Sequence, residues 1–188
     1  MINFKKAQFT ISAPSLELKP KDNLPSILIV GRSNVGKSTL INALLGQKIA
    51  FSSKKAGKTK LLNYFKIDDT FYLVDTPGYG STIYANLTTI NFAKMMEDYV
   101  KEPSLKGILL LVDLRHEPGK DDDAFYKYLR NSGVKIVSVL TKVDTMNQKT
   151  RYQALLYAKK YNFDSIIESD LSSKSLEKIK EAILDLLS

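Results

Sequence analysis

Apolar runs and amphipathic stretches alternate along the 188 residues of the chain. Several short aliphatic and β-branched runs lack strict polar–apolar alternation, which is typical of strands buried on both faces. These predicted strands cover residues 26–30, 71–74, 107–112 and 134–140. Between and after them, apolar side chains recur at the spacing of a helix face. The predicted helices cover residues 38–45, 87–100, 121–129, 148–160 and 175–187.

A further strand is predicted at residues 61–67, which run through Asp68 and Asp69 into the strand that begins at Phe71, as in a hairpin. This pairing adds one antiparallel edge strand to a parallel sheet. We therefore expect an α/β fold, a three-layer sandwich with a mostly parallel sheet, in a single domain over residues 1–188. Ligands of such sheets bind at the carboxyl ends of the strands, so the loops that follow them are the place to look for chemistry.

The loop after the first buried strand reads GRSNVGKS and leads into the helical run TLINALL. A GxxxxGK[ST] pattern between a strand and a helix is typical of a phosphate-binding loop, in which backbone N–H groups and the helix dipole surround phosphate oxygens. Lys37 is expected to neutralise β- and γ-phosphate oxygens, and the Ser38 hydroxyl to ligate Mg²⁺. The candidate nucleotide-binding residues here are Gly31, Arg32, Ser33, Asn34, Val35, Gly36, Lys37, Ser38 and Thr39.

A phosphate loop alone does not separate a GTPase from an ATPase or a small-molecule kinase, but the sequence TKVD after the strand at 134–140 does. Asp144 can accept hydrogen bonds from N1–H and the exocyclic amine of guanine, whereas adenine offers neither donor. A site built for such bonds discriminates about 10⁴-fold or more against their absence. Lys142 is expected to lay its stem across the base and ribose. Thr141, where GTPases usually have Asn, is expected to tether the neighbouring loop.

Two segments suit the sensing of Mg²⁺ and the γ-phosphate. Asp75 of DTPG ends a predicted strand and is expected to hold Mg²⁺ through water, while the Gly78 N–H bonds a γ-phosphate oxygen. Thr59, in AGKTK with Gly57, is expected to complete the Mg²⁺ shell when the γ-phosphate is present. The residues expected to act in hydrolysis are Lys37, Thr59 and Gly78.

Two further predictions concern the base and the reaction rate. Ser172, Ser173 and Lys174 open the last helix, where the Ser173 N–H is expected to bond guanine O6. Tyr79 follows DTPG directly, where Ras-like enzymes keep a water-orienting glutamine, so unassisted turnover at or below about 10⁻⁴ per second is expected. Asn34 occupies the position at which potassium-activated relatives hold K⁺. Its alternative role is to tighten the loop.

Composition bears on the binding partners and the cellular location of the protein. The net charge of +8 favours polyanions such as RNA, although a lysine-rich surface can also be simply solvated. There is no cysteine, and the apolar runs are far shorter than the roughly 20 residues of a membrane span. We expect a cytoplasmic protein with no membrane or DNA partner. Contact with a polyanion such as RNA is expected through the basic cluster Lys48, Lys54, Lys55, Lys58 and Lys60.

The motifs GRSNVGKS, VDTPGYG, VDLRH and TKVD, in this order, resemble those of the bacterial EngB (YsxC) family of P-loop GTPases over residues 24–187. The resemblance implies a Ras-like G domain, GTP hydrolysis and a role in maturing the large ribosomal subunit, with a link to the cell cycle and septation. It also implies that the polyanion at the basic cluster is ribosomal RNA. It also implies a first switch near 47–62, a second near 76–93 and an N-terminal extension, 1–23, packed on the domain. The chain departs from the family pattern in reading AGK for PGR and STIYANLTT for a basic switch segment.

Two alternatives stay open beside a ribosomal GTPase. A P-loop small-molecule kinase would need an acceptor-binding lid and no guanine-reading TKVD, and neither expectation suits this chain. A signalling or transport GTPase that acts on a protein partner fits the nucleotide motifs equally well. Only the family resemblance and the basic cluster count against it.

Overall fold

The computed structural model describes residues 2–51, 61–80, 85–161 and 165–188, with the backbone alone at 85–91. The strands within this part of the chain are β1 (Ala7–Ala13), β2 (Ser26–Gly31), β3 (Leu62–Ile67), β4 (Phe71–Asp75), β5 (Leu105–Val112), β6 (Ile136–Leu140) and β7 (Ile166–Glu168). The α-helices are α1 (Lys37–Leu45), α2 (Ala85–Tyr99), α3 (Lys120–Asn131), α4 (Gln148–Lys160) and α5 (Ser173–Leu187). Every predicted strand and helix is present, with bounds within two residues of those expected.

The strands form one sheet in the order β1-β3-β4-β2-β5-β6-β7. Strand β3 runs antiparallel to both β1 and β4, and the remaining pairs are parallel. The mostly parallel sheet with an antiparallel edge is therefore confirmed, and β1 adds a strand beyond it. Strand β1 lies within the predicted N-terminal extension, and the exposed Phe9 ring packs edge-on against Phe65 at 5.8 Å between centroids.

Two apolar clusters cover the two faces of the sheet. The central strand β2 is buried throughout, as its lack of alternation predicted. Ile27 and Ile29 point to the cluster shared with α1 and α5. Leu28 and Val30 point to the opposite cluster, shared with α2, α3 and α4. The helices thus sandwich the sheet in three layers.

The parallel register brings the ends of several strands to one edge. Ile29 lies opposite Asp75, Val112 opposite Leu140, and Leu140 opposite Glu168. The loops that carry GRSNVGKS, DTPG and TKVD therefore emerge side by side, as expected for an α/β ligand site. Among the described helices, none is both long and apolar enough to cross a bilayer.

Candidate nucleotide-binding site

The phosphate loop has the backbone that its sequence predicts. Asn34 and Gly36 adopt φ angles of 64° and 110°, in the left-handed region. At Gly36 this region is open without strain because glycine lacks a Cβ atom. Helix α1 begins at Lys37 with no side-chain cap, so the N–H groups of its first turn face the loop without an intrahelical partner. This arrangement suits an anion.

Lys37 and Asp75 are two ionisable groups of the site that act on each other's pKa without a direct hydrogen bond between them. The Lys37 ammonium donates a long hydrogen bond to the Gly31 carbonyl at 3.4 Å. Asp75 is buried, and its Oδ1 has no hydrogen-bond partner. Burial raises the pKa of Asp75 to about 6, against the opposing effect of Lys37. Burial also lowers the pKa of Lys37, against the effect of Asp75. Both charges are thus incompletely compensated, as in a site prepared for a charged ligand.

The DTPG segment runs directly beside the phosphate loop. The Ser33 N–H donates to the Tyr79 carbonyl at 2.9 Å, and the Tyr79 N–H donates to the Gly31 carbonyl at 3.3 Å. A Cβ atom on Gly78 would lie 2.7 Å from Ser33 Cα, so this close approach requires glycine. Movement of either segment therefore acts on the other.

The Tyr79 side chain packs in a group of aromatic rings. Its ring lies 4.6 Å from that of Phe125 and 5.8 Å from that of Phe92. Burial, together with the Tyr126 hydroxyl, raises the pKa of Tyr79. The ring is therefore a packing element of the switch segment rather than a group that could orient a water molecule.

An ion pair between the phosphate loop and α3 was not foreseen from the sequence. Arg32 Nη1 lies 2.6 Å from Asp122 Oδ2, and this oxygen also accepts the Gly119 N–H at 2.9 Å. Asp122 thus caps α3 and holds Arg32 at once. The acidic run at Asp121, Asp122 and Asp123 suits the start of a helix, but nothing in the sequence indicates that Asp122 pairs with a residue 90 positions away.

The TKVD segment contacts the phosphate loop at two points. The buried Thr141 hydroxyl donates to the Val35 carbonyl at 3.0 Å. The Lys142 ammonium donates to the Asn34 carbonyl at 3.1 Å. Lys142 itself has a left-handed φ of 60°, and Asp144 lies exposed two residues further on. The TKVD segment and the GRSNVGKS loop are consequently bonded directly to each other, as the prediction of one nucleotide site requires.

The loop before α5 lies beside the TKVD segment. The Ser169 N–H donates to the Leu140 carbonyl at 2.8 Å, which places the end of β7 beside TKVD. Ser172 caps α5 by accepting the Ser175 N–H at 3.3 Å. Ser173 and Lys174, the first two helical residues, are exposed at this edge.

Sequence reasoning also missed Asp113 and Arg115, both in the motif VDLRH. Arg115 donates from Nε and Nη2 to the two Asp113 carboxylate oxygens, at 2.9 and 2.8 Å. Lys142 Nζ lies 3.1 Å from Asp113 Oδ2. One signal in the sequence could have identified Asp113, namely its position. It directly follows β5, which pairs with β6, the strand that leads into TKVD.

Some predicted residues lie outside the described part of the chain. They are Gly57 and Thr59, together with Lys54, Lys55, Lys58 and Lys60. Of the basic cluster, Lys48 is described, and it is exposed. The second switch is described to Gly80 and again as backbone from Ala85. The predicted roles of the first switch therefore stay predictions.

The fold and the joined phosphate and base segments define a P-loop GTPase. Residues 26–142 match a family model described as 50S ribosome-binding GTPase. The chain is 41% identical over 174 residues to the probable GTP-binding protein EngB of Lactobacillus acidophilus, covering 90% of this chain and 89% of that protein. It is 37% identical over 192 residues to the same-named protein of Streptococcus uberis, covering 98% and 96%. The chain belongs to the EngB family.

Solved structures show the same fold. A crystal structure of a probable GTP-binding protein engB superposes with a TM-score of 0.69 at 20% identity, covering 86% of this chain and 98% of that one. Era in complex with MgGDPNP and nucleotides 1506–1542 of 16S ribosomal RNA superposes with a TM-score of 0.63 at 23% identity, covering 87% and 56%. The family assignment confirms that the chain is a GTPase.

Proposed function

We propose that this GTPase is a nucleotide-dependent switch that binds the large ribosomal subunit in the cytoplasm and assists its assembly. The observation that carries the switch is the direct bonding of the phosphate loop to both neighbouring segments. Ser33 is bonded to Tyr79 on one side, and Thr141 to Val35 on the other. A change at the γ-phosphate would thus displace the DTPG segment while the base stays held.

Each residue of the site has a proposed role. Lys37 exchanges its long bond to the Gly31 carbonyl for β- and γ-phosphate oxygens, which are stronger acceptors because they are charged. The Gly78 N–H bonds the γ-phosphate. Asp144 reads guanine N1–H and the exocyclic amine, and the Ser173 N–H bonds O6. Lys142 covers one face of the base with its stem.

The residues present fit Mg²⁺. The unpartnered Asp75 Oδ1 is a hard oxygen acceptor, and Ser38 offers a hydroxyl in the first turn of α1. We propose that these two hold the ion, Asp75 through water, and that Thr59 joins them in the GTP form. Bound Mg²⁺ neutralises charge on the β- and γ-phosphates. The described residues contain no cluster of three His, Cys, Asp or Glu, and Mg²⁺ on a nucleotide needs none because phosphates and water complete its shell.

Three features support a ribosomal partner. The family model is described by 50S ribosome binding. The chain carries a net charge of +8, which attracts RNA phosphates. Helix α4 adds Lys149, Arg151, Lys159 and Lys160 without an acidic residue. Arg151 and Lys160 are partly neutralised by Glu168 and Glu117, so the contact is expected to be moderate and sensitive to salt.

The test is sedimentation of the purified chain with large ribosomal subunits at low and moderate salt. A non-hydrolysable GTP analogue, GDP and an ATP analogue are compared. We expect pelleting that requires the GTP analogue and weakens with salt. The matched control is Asp144→Asn, which should lose pelleting with the GTP analogue and regain it with the xanthosine analogue, whose C2 carbonyl accepts the Asn amide. Nucleotide binding without pelleting in any state would overturn the ribosomal role in favour of a protein-partner GTPase.

A further inference from the structure

The motif VDLRH has no role in the site as described so far, yet its carboxylate lies beside the base-reading segment. Strands β5 and β6 are parallel, with Val112 opposite Leu140. The Thr141 N–H donates to the Val112 carbonyl at 2.9 Å, which continues this register past the strand ends. Asp113 and Lys142 are therefore neighbours by sheet geometry.

Lys142 is fixed at its tip by two acceptors. Its ammonium is bonded to the Asn34 carbonyl at 3.1 Å and lies 3.1 Å from Asp113 Oδ2. A lysine stem has four rotatable carbons and loses conformational entropy when it is ordered. The two contacts offset part of that cost before the nucleotide binds, because the ammonium end of the side chain is already held.

Arg115 is the second positively charged residue that contacts the Asp113 carboxylate. It makes a two-point bond to the carboxylate, at 2.9 and 2.8 Å. Partial burial acts to raise the pKa of Asp113, but the hydrogen bonds from Arg115 and Lys142 outweigh it and lower the pKa. The Arg115 pKa is raised chiefly by Asp113 and also by Asp144, so the Asp144 carboxylate lies within electrostatic reach of the guanidinium.

We infer that Asp113 is a positioning residue for guanine recognition, which holds the Lys142 ammonium in place and keeps the Arg115 guanidinium from pairing with Asp144. This inference rests on the proposed reading of guanine by Asp144. An arginine is charged at any physiological pH. Without Asp113, the Arg115 guanidinium loses both of its hydrogen bonds and is available to pair with Asp144, where it competes with the guanine N1–H and amine.

The experiment measures the affinity of the full chain for GDP and for inosine diphosphate, which keeps N1–H but lacks the exocyclic amine. The ratio of the two affinities reports the contact between Asp144 and the amine. The variants are Asp113→Asn, Arg115→Gln and the double variant. The control is Asp22→Asn, which removes a carboxylate held by Lys66 at 2.8 Å at the opposite edge of the sheet. Thermal melts establish that each variant is folded.

Asp113→Asn should weaken GDP binding about tenfold and shrink the preference for GDP over inosine diphosphate, because charge-assisted bonds of this kind are worth about that much. The double variant should recover the preference, while Asp22→Asn keeps both values. Unchanged affinities in Asp113→Asn, an equal loss for both nucleotides, or a double variant whose preference for GDP is as small as that of Asp113→Asn would overturn the inference. A wild-type chain that binds both nucleotides equally would overturn the role of Asp144 and the inference with it.

Discussion

Replacing Asp75 by Asn should stabilise the protein in the absence of metal and nucleotide, although it removes a residue of the site. Asp75 is 7% exposed, and its Oδ1 has no hydrogen-bond partner. Burial raises its pKa from 3.8 to about 6, with Lys37 opposing the shift. A carboxyl group with a higher pKa in the folded state binds its proton more tightly there, so ionisation works against folding.

The sign and size of the effect follow from this pKa. The stability contributed by protonated Asp75 is fully present below about pH 4 and is lost as pH rises through about 6. The shift of about two units corresponds to about 3 kcal/mol at neutral pH. About half of this, ~1.5 kcal/mol, develops between about pH 5 and pH 7.5. An Asn side chain is neutral throughout and escapes the loss.

The assay is thermal unfolding of both chains in a chelator at these two pH values. The melting temperature of Asp75→Asn relative to wild type should rise by about 3–6 °C from the lower to the higher pH. Asp22→Asn is the control without pH dependence in this range. Partial burial acts to raise the pKa of Asp22, but hydrogen bonds from Lys66 and Tyr72 outweigh it and lower the pKa, so Asp22 is ionised in the folded and the unfolded chain at both pH values. The melting temperature of that variant relative to wild type should therefore stay constant between the two. A difference for Asp75→Asn that stays constant or falls with pH would refute the reasoning.

Three further predictions concern the contacts of the phosphate loop. Thr141→Val removes the hydroxyl bonded to the buried Val35 carbonyl. It should lower the free energy of unfolding by about 1–2 kcal/mol, measured by denaturant unfolding, and speed GDP release, measured by stopped-flow fluorescence. Unchanged values would contradict a tethering role for Thr141. Gly78→Ala places a methyl group 2.7 Å from Ser33 Cα. Titration calorimetry should show at least about tenfold weaker binding of a GTP analogue with GDP affinity nearly kept, whereas equal losses would exclude a γ-phosphate role. If Asn34 holds K⁺, GTP turnover should be faster in KCl than in NaCl, and Asn34→Ala should abolish the difference. Equal rates in the two salts for the wild type would contradict this hypothesis.

The parts of the site that were predictable are local in sequence. The phosphate loop and TKVD each join a strand to a helix or turn within a few residues, and the chemistry of each motif is carried by its own backbone and side chains. Strand β2 was predicted because burial on both faces leaves a continuous apolar run. Strand β1 was missed because most of its residues are exposed and its pairing with β3 leaves no apolar pattern.

The contacts that were not predictable join distant residues. Arg32 and Asp122 are 90 residues apart, and Asp113 reaches Lys142 only through the register of β5 and β6. From the sequence alone, charged residues of this kind are interpreted as solvated surface residues, because neighbouring residues give no information on a distant partner. Tyr79 could be recognised as unable to act like a glutamine, but its packing against Phe125 depended on where α3 lies.

The most direct test of a single guanine-nucleotide site is competition for a bound fluorescent GDP analogue by GTP, GDP and ATP in the presence of Mg²⁺. Because Asp144 is proposed to accept hydrogen bonds from groups that guanine has and adenine lacks, GTP and GDP should displace the probe at similar concentrations, and ATP should need about 10⁴-fold more. Displacement by ATP at the concentration that suffices for GDP would contradict the account, because Asp144 would then not read the base.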